Sequence, residues 1–185
     1  MEYQNTHREI VEACKSGQRT AQFELYRLYS KAMYNVCLRM LKRTEDAEDI
    51  LQNSFVDIFS KLHTFQYQSS VGAWIKRIVV NNCINYLRKR KLQFEELENR
   101  LFAIPAIEDD VPLSGTNITV NTINKALLEL PDGYRVVFSL YLMEGYDHKE
   151  IAQILDISEA TSKSQYSRAK RKLRDLLAGQ RQQAY

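Results

Sequence analysis

Thr64, Phe65, Gln66 and Tyr67 form an aromatic, amide-bearing run, and Lys76, Arg77, Asn81, Asn82, Asn85 and Arg88 follow within the next 21 residues. Side chains of these kinds suit unpaired nucleotides. Aromatic faces stack bases, amides hydrogen-bond the edges that unpairing exposes, and cations hold phosphates. Asparagine is a poor residue for a helix interior, so three within five positions imply a role beyond folding. Trp74, the only tryptophan, is expected to pack in a core instead.

A second set lies near the C-terminus. Ala160, Lys163, Ser164, Ser167, Arg168 and Arg171 share one side of a helix expected over Glu159–Leu177. Its other side carries Ser162, Tyr166, Ala169, Leu173 and Leu177 at steps of 4, 3, 4 and 4, a stripe fit for a core. Small hydroxyls and guanidinium groups on the free side can enter a DNA major groove, while Lys170, Lys172 and Arg174 flank it as phosphate contacts. A solvated cationic helix end would explain the late cluster, but not Lys163 and Arg168 set among serines just after a turn.

Catalytic chemistry is harder to find. His7, His63 and His148 stand apart, without an HExxH pair, a Gly-rich phosphate loop or a nucleophile elbow. Cys14, Cys37 and Cys83 are odd in number and lack a CxxC spacing, which argues against a disulfide framework or zinc site and for a reducing compartment. No enzyme activity, cofactor or metal is expected. The first residues lack the basic start and apolar run of a signal peptide, and no stretch nears the roughly 18–20 apolar residues of a membrane span. A cytoplasmic protein without membrane insertion is expected.

The elements that position these residues are helical. Leu25, Tyr29, Met33, Val36 and Met40 lie on one helix face, and Ala47, Leu51, Phe55, Ile58 and Leu62 repeat the spacing. Thr44 is the expected N-cap of this second helix, whose acidic start suits the dipole. A short helix is expected over Arg8–Lys15 and a longer one from Val71 to Arg90. After residue 120, helices are expected at Thr122–Leu130, Tyr134–Met143, Asp147–Leu155 and Glu159–Leu177. The Asp156-Ile157-Ser158 turn joins the last two as a helix-turn-helix. The fold class is therefore all-α: two small helical domains, 1–92 and 121–178, joined by a flexible acidic linker over 93–120 with some helix near Phe94–Leu101, and followed by a tail, 179–185. Charge follows this division: 15 Lys/Arg against 9 Asp/Glu over 1–92, 1 against 6 over 93–120, and 10 against 8 thereafter. Two basic blocks around an acidic joint suggest two contacts with one polyanion.

At this level of detail the sequence resembles the extracytoplasmic-function (ECF) sigma factors. Asp46-Ala47-Glu48-Asp49-Ile50-Leu51-Gln52-Asn53-Ser54-Phe55 resembles that family's polymerase-binding helix. Trp74-Ile75-x-Arg77-Ile78-x-x-Asn81 with Ile84-Asn85-x-Leu87-Arg88 resembles its helix for the −10 promoter element. Leu130-Pro131-x-x-Tyr134-Arg135-x-Val137-Phe138 and Lys149-Glu150-Ile151-Ala152-x-x-Leu155 resemble its −35-reading domain. The resemblance implies a promoter-selecting subunit of core RNA polymerase that docks on the clamp helices of the largest subunit and the flap of the second-largest. It implies Asp46, Glu48, Asp49, Gln52 and Phe55 as polymerase contacts, and the loop at Thr64–Ser70 as the captor of a flipped −10 base. It also implies Lys163, Ser164, Ser167 and Arg168 at the −35 groove, and an anti-sigma factor as a further partner. Asp156 stands where a turn glycine is frequent in that family; Asp tolerates left-handed backbone, so the turn is expected to survive. A classical repressor or activator with an N-terminal sensor or dimerisation bundle would account for residues 121–177 but not for the aromatic–amide segment or the Asp46–Phe55 helix.

Overall fold

A computed structural model describes residues 7–94 and 120–182, and every regular element among them is helical. Contacts divide the chain into two compact units, Met1–Lys91 and Leu92–Tyr185. The connector expected over 93–120 lies outside the described residues except at its two ends.

The first unit contains α1 (Arg8–Lys15), α2 (Arg19–Leu41), α3 (Thr44–Lys61) and α4 (Val71–Phe94), with one 3₁₀ turn at Leu62–Thr64. The apolar spacing predicted for α2 and α3 is what is buried: Leu25, Met33, Val36 and Met40 from one, Ala47, Leu51, Phe55 and Ile58 from the other. Thr44 does not cap α3. It already belongs to the helix, and Arg43 in the cap position makes no side-chain cap bond, so Glu45 and Asp46 in the first turn are the favourable groups there. Ser70 caps α4, its Oγ accepting from the Ala73 N–H at 3.2 Å. Val71, Ile75, Val79, Val80, Cys83 and Ile84 form the buried side of α4, which runs past the expected end at Arg90.

The second unit contains α5 (Val120–Leu128), α6 (Asp132–Phe138), α7 (His148–Leu155) and α8 (Glu159–Gln182). Its core gathers Leu127, Leu130, Phe138, Ala169 and Leu173, each at most 1% exposed. The single helix expected over Tyr134–Met143 is instead α6 followed by a wide π turn, Ser139–Met143, with Glu144 N–H bonded to Ser139 O at 3.0 Å. Inserting one residue into the turn changes which way Tyr141 points. Asp147 and Glu150 form a reciprocal capping box at the start of α7, with bonds of 2.7 and 2.8 Å. Asp156 ends that helix in the left-handed region at φ 57°, as expected of an aspartate there.

Arg135 is fully buried, yet its guanidinium donates to the Leu130 carbonyl at 3.0 Å and to Asp132 Oδ1 at 2.8 Å. It thereby satisfies the exit turn of α5 and its own charge together. Arg135→Met should lower stability by about 1–3 kcal/mol, because the Leu130 carbonyl loses its donor. Asp132→Asn should cost less, since Asp132 is 62% exposed. Urea denaturation of the two variants measures the difference.

Candidate nucleic-acid interface

Packing consumes one side of α4 and leaves the other. The exposed positions are Ala73, Arg77, Asn81, Asn85, Arg88 and Lys89, which form a single stripe along the helix. Asn81 and Asn85 therefore present their amides to solvent one turn apart, with guanidinium groups at either end. Lys76 is half-buried beside this stripe.

Asn82 lies elsewhere. Its Nδ2 donates to Ser54 Oγ at 3.1 Å and to Asp57 Oδ2 at 2.9 Å, both on α3. Its presence is thus explained by folding, and Asn82 is withdrawn from the nucleic-acid contacts. Phe65 is withdrawn for a similar reason: it is 4% exposed, with its ring 4.8 Å from that of Tyr67 and 5.3 Å from that of Trp74. A buried ring has no free face on which to stack a base. Trp74 is half-buried against it, in the packing role expected.

The loop between the 3₁₀ turn and α4 is held at alternate points. Lys15 Nζ donates to the Phe65 carbonyl at 3.1 Å and pairs with Glu12 at 3.1 Å. The Tyr67 hydroxyl donates to Glu12 Oε1, while Arg8 and Lys15 lie 4.9 and 4.7 Å from its ring centre. Partial burial and the bond to Glu12 push the Tyr67 phenol up to about 12. The Tyr67 hydrogen bond, followed by that of Lys15, holds the Glu12 carboxyl below its usual range. Thr64, Gln66, Gln68 and Ser69 remain exposed. Thr64 spends its hydroxyl proton on the Lys61 carbonyl at 2.7 Å. Arg8, Glu12 and Lys15 did not figure among the sequence candidates. Their steps of 4 and 3 on one helix face were the available signal.

On α3 the outer face carries Glu48, Asp49 and Gln52, all exposed, with Val56 one turn on at 68% exposure. The other two residues expected to act there face inward. Phe55 is 3% exposed and packs edge-on to Tyr26, with ring centres 4.7 Å apart. The Asp46 side chain, 13% exposed, lies 3.6 Å from Arg90 of α4 and receives a hydrogen bond from Tyr86. Both residues brace the bundle.

In the second unit Ser158 caps α8, accepting from the Thr161 N–H at 3.0 Å. Ser162, Gln165, Ala169, Leu173 and Leu177 are buried. Ala160, Lys163 and Arg171 are exposed, and Ser164, Ser167 and Arg168 are half-buried at the edge of the same surface. Lys163 pairs with Glu159 at 2.7 Å, and Ser164 donates to the Thr161 carbonyl at 2.9 Å. Behind this surface His148 stacks on Tyr141, with ring centres 4.4 Å apart, and its Nδ1 shares a 2.9 Å hydrogen bond with Ser162 Oγ. Tyr166 lies 4.5 Å from Tyr141, so the π turn, α7 and α8 meet in one aromatic cluster.

Residues 25–93 match the family model for sigma-70 region 2, and residues 119–173 the model for sigma-70 region 4. The ECF RNA polymerase sigma factor SigM of Bacillus subtilis is 31% identical over 157 residues, spanning 83% of this chain and 93% of its own. The ECF RNA polymerase sigma factor SigM of Mycobacterium tuberculosis is 28% identical over 178 residues, spanning 95% and 86%. The sigma factor RpoE of Bartonella quintana, solved in complex with the anti-sigma factor NepR, shares the fold. It aligns with a TM-score of 0.55 at 24% identity, over 84% of this chain and 95% of that one.

His148 supplies a pH dependence. Burial, then the Lys163 charge, lowers its pKa below 6.5, against the opposing pull of Glu159 and Asp147. The unfolded chain therefore binds more protons in that range, so this contribution to stability is complete above pH 6.5 and is lost as pH falls through the lowered value. Thermal melting of the full chain on either side of pH 6.5 should show a loss on the acid side, and His148→Gln should diminish it.

Proposed function

Taking as premise that this chain belongs to the ECF sigma factors, which direct promoter-specific transcription initiation as alternative sigma factors, we propose how its exposed faces divide that work. The outer face of α3, through Glu48, Asp49 and Gln52 with Val56 beside them, docks on the clamp helices of the largest subunit of core RNA polymerase. The second unit engages the flap of the second-largest. The stripe Arg77–Asn81–Asn85–Arg88 and the loop at Thr64–Ser70 capture the melted −10 strand, with Lys76 at its margin. The α8 surface, Ala160, Lys163, Ser164, Ser167, Arg168 and Arg171, reads the −35 duplex. The corresponding domains are 1–92 and 121–178, with 93–120 as the tether and 179–185 as a tail.

One observation carries this reading: on both α4 and α8 the side turned away from the core is a run of cations, amides and hydroxyls in which cations outnumber acids. The two faces differ in the way that their targets differ. Hydroxyls and cations on a capped helix after a tight turn suit the major groove. Paired amides beside a fixed loop suit bases that have lost their partners. Each face alone makes few contacts, so high affinity requires both to be held on one polymerase, where the second contact is effectively intramolecular. Opening follows because the loop binds strand and not duplex, which shifts the population toward the melted state.

The role is regulatory, with no bond made or broken by the chain itself, and no described helix is long and apolar enough to cross a membrane. We assign the protein to the cytoplasm and propose an anti-sigma factor as a further partner, as RpoE has in NepR.

The two contacts separate by experiment. Lys163→Ala should weaken closed-complex binding about tenfold, the scale of one good groove contact. Asn85→Ala should leave closed-complex binding near that of the unaltered protein and reduce permanganate reactivity of the −10 segment. Equal losses in closed and open complexes for both variants would defeat the division of labour. Run-off transcription with core polymerase and a genomic fragment pool supplies the promoter.

A further inference from the structure

Between the 3₁₀ turn and α4, three of the six positions 65–70 are fastened. Phe65 is held by its buried ring and by the Lys15 bond to its carbonyl. Tyr67 is held by Glu12, Arg8 and Lys15, and Ser70 by its cap bond to Ala73. The three intervening residues, Gln66, Gln68 and Ser69, are exposed, and the Gln68 amide donates to that of Gln66 at 3.3 Å. Fastened residues turn inward and unfastened ones outward, so the fastenings determine where the outward amides stand.

The middle fastening is the strained one. Tyr67 has φ 57°, a left-handed conformation that is unfavourable for a residue with a Cβ and uncommon outside Gly, Asn and Asp. Such a backbone persists only where surrounding contacts over-determine it. Here the Phe65 ring supplies one such contact, and Glu12, Arg8 and Lys15 of α1 supply the others, across 55 residues of sequence for the Glu12–Tyr67 pair. The ring and the hydroxyl are taken up by α1, so Tyr67 is engaged as an anchor. Without it, the backbone would relax toward negative φ and swing Gln66 and Gln68 to new positions.

We infer that α1 is a working part of the strand-capture site, with Glu12 as a positioning residue that, by holding the Tyr67 hydroxyl, sets where Gln66 and Gln68 meet an unpaired strand. This rests on the capture role proposed above for the Thr64–Ser70 loop. Arg8 and Lys15 contribute by keeping Glu12 ionised and by covering the Tyr67 ring. Glu12 itself touches no nucleotide.

The test uses the full chain bound to core RNA polymerase and one promoter recovered by run-off selection, prepared fully paired and with its −10 segment mismatched. Glu12→Ala suits the purpose because alanine is a good helix former at an exposed helical position. It should weaken binding of the mismatched promoter about tenfold, the scale of one hydrogen bond to a charged group, and leave binding of the paired promoter in the closed complex unchanged. Tyr67→Phe should lose as much, and the double variant no more than either single one, since both remove the same bond. Trp74 fluorescence reports a change in its surroundings in the same variants. Undiminished binding of mismatched DNA by Glu12→Ala would overturn the inference. So would parallel losses on both DNAs with a lowered melting temperature, the mark of a purely structural bond. If the unaltered protein shows no preference for mismatched over paired DNA, the capture role itself fails and this inference with it.

Discussion

The Asn82 amide reaches from α4 to Ser54 and Asp57 of α3, and that pair of bonds holds α4 at one rotation about its own axis. A helix advances ~100° per residue, so with Asn82, Ile75, Val79 and Cys83 all turned inward, Asn81 and Asn85 fall outside the buried arc and face solvent. Around the same axis Val71, Ile75, Val79 and Cys83 are buried with it, and Cys83 Sγ lies 3.7 Å from Cys37 Sγ of α2. The stripe Arg77–Asn81–Asn85–Arg88 is what remains when those demands are met. A polar anchor adds something that apolar packing alone does not: sliding α4 by one residue would strand a half-buried amide, a penalty that a slip among aliphatic side chains would not incur.

The second unit reaches a comparable result through caps and rings. The capping box at Asp147, the left-handed Asp156 and the Ser158 cap close both helix ends at the turn, leaving few backbone groups there without partners. Ile157 N–H bonds back to the Ala152 carbonyl at 3.0 Å, which completes the exit from α7. The cluster of Tyr141, His148 and Tyr166 then ties the π turn to both helices. The angle at which α8 offers Lys163 and Arg168 therefore depends on the caps of the turn and on this ring cluster.

Much of this was legible from residue spacing. The helices of both units, the turn at Asp156-Ile157-Ser158, the buried stripe of α8 and the packing role of Trp74 follow from period, caps and composition. Other assignments failed for identifiable reasons. Asn82, Asp46 and Phe55 are engaged inside the bundle by residues far away in sequence, and Phe65 by the rings of Tyr67 and Trp74 together with the Lys15 bond to its carbonyl. Asn82 meets Asp57, 25 residues away, and Phe55 meets Tyr26. Thr44 sits one residue inside the helix it was expected to cap. The π turn has no periodic signature, because a single inserted residue leaves the apolar spacing on either side nearly unaltered.

Local physics, then, determined what the chain could settle by itself: the approximate place of most helices, the two-unit helical class and the kinds of side chain available for contact. These depend on neighbours three or four residues apart, and such neighbours are written consecutively. Tertiary structure decided which of those side chains are free. Asn82 and Phe65 went to the core, Asn81 and Asn85 to solvent, and Tyr67 to α1. Hydrogen bonds and ring contacts between segments 25 to 55 residues apart made that choice, and only folding brings such segments together.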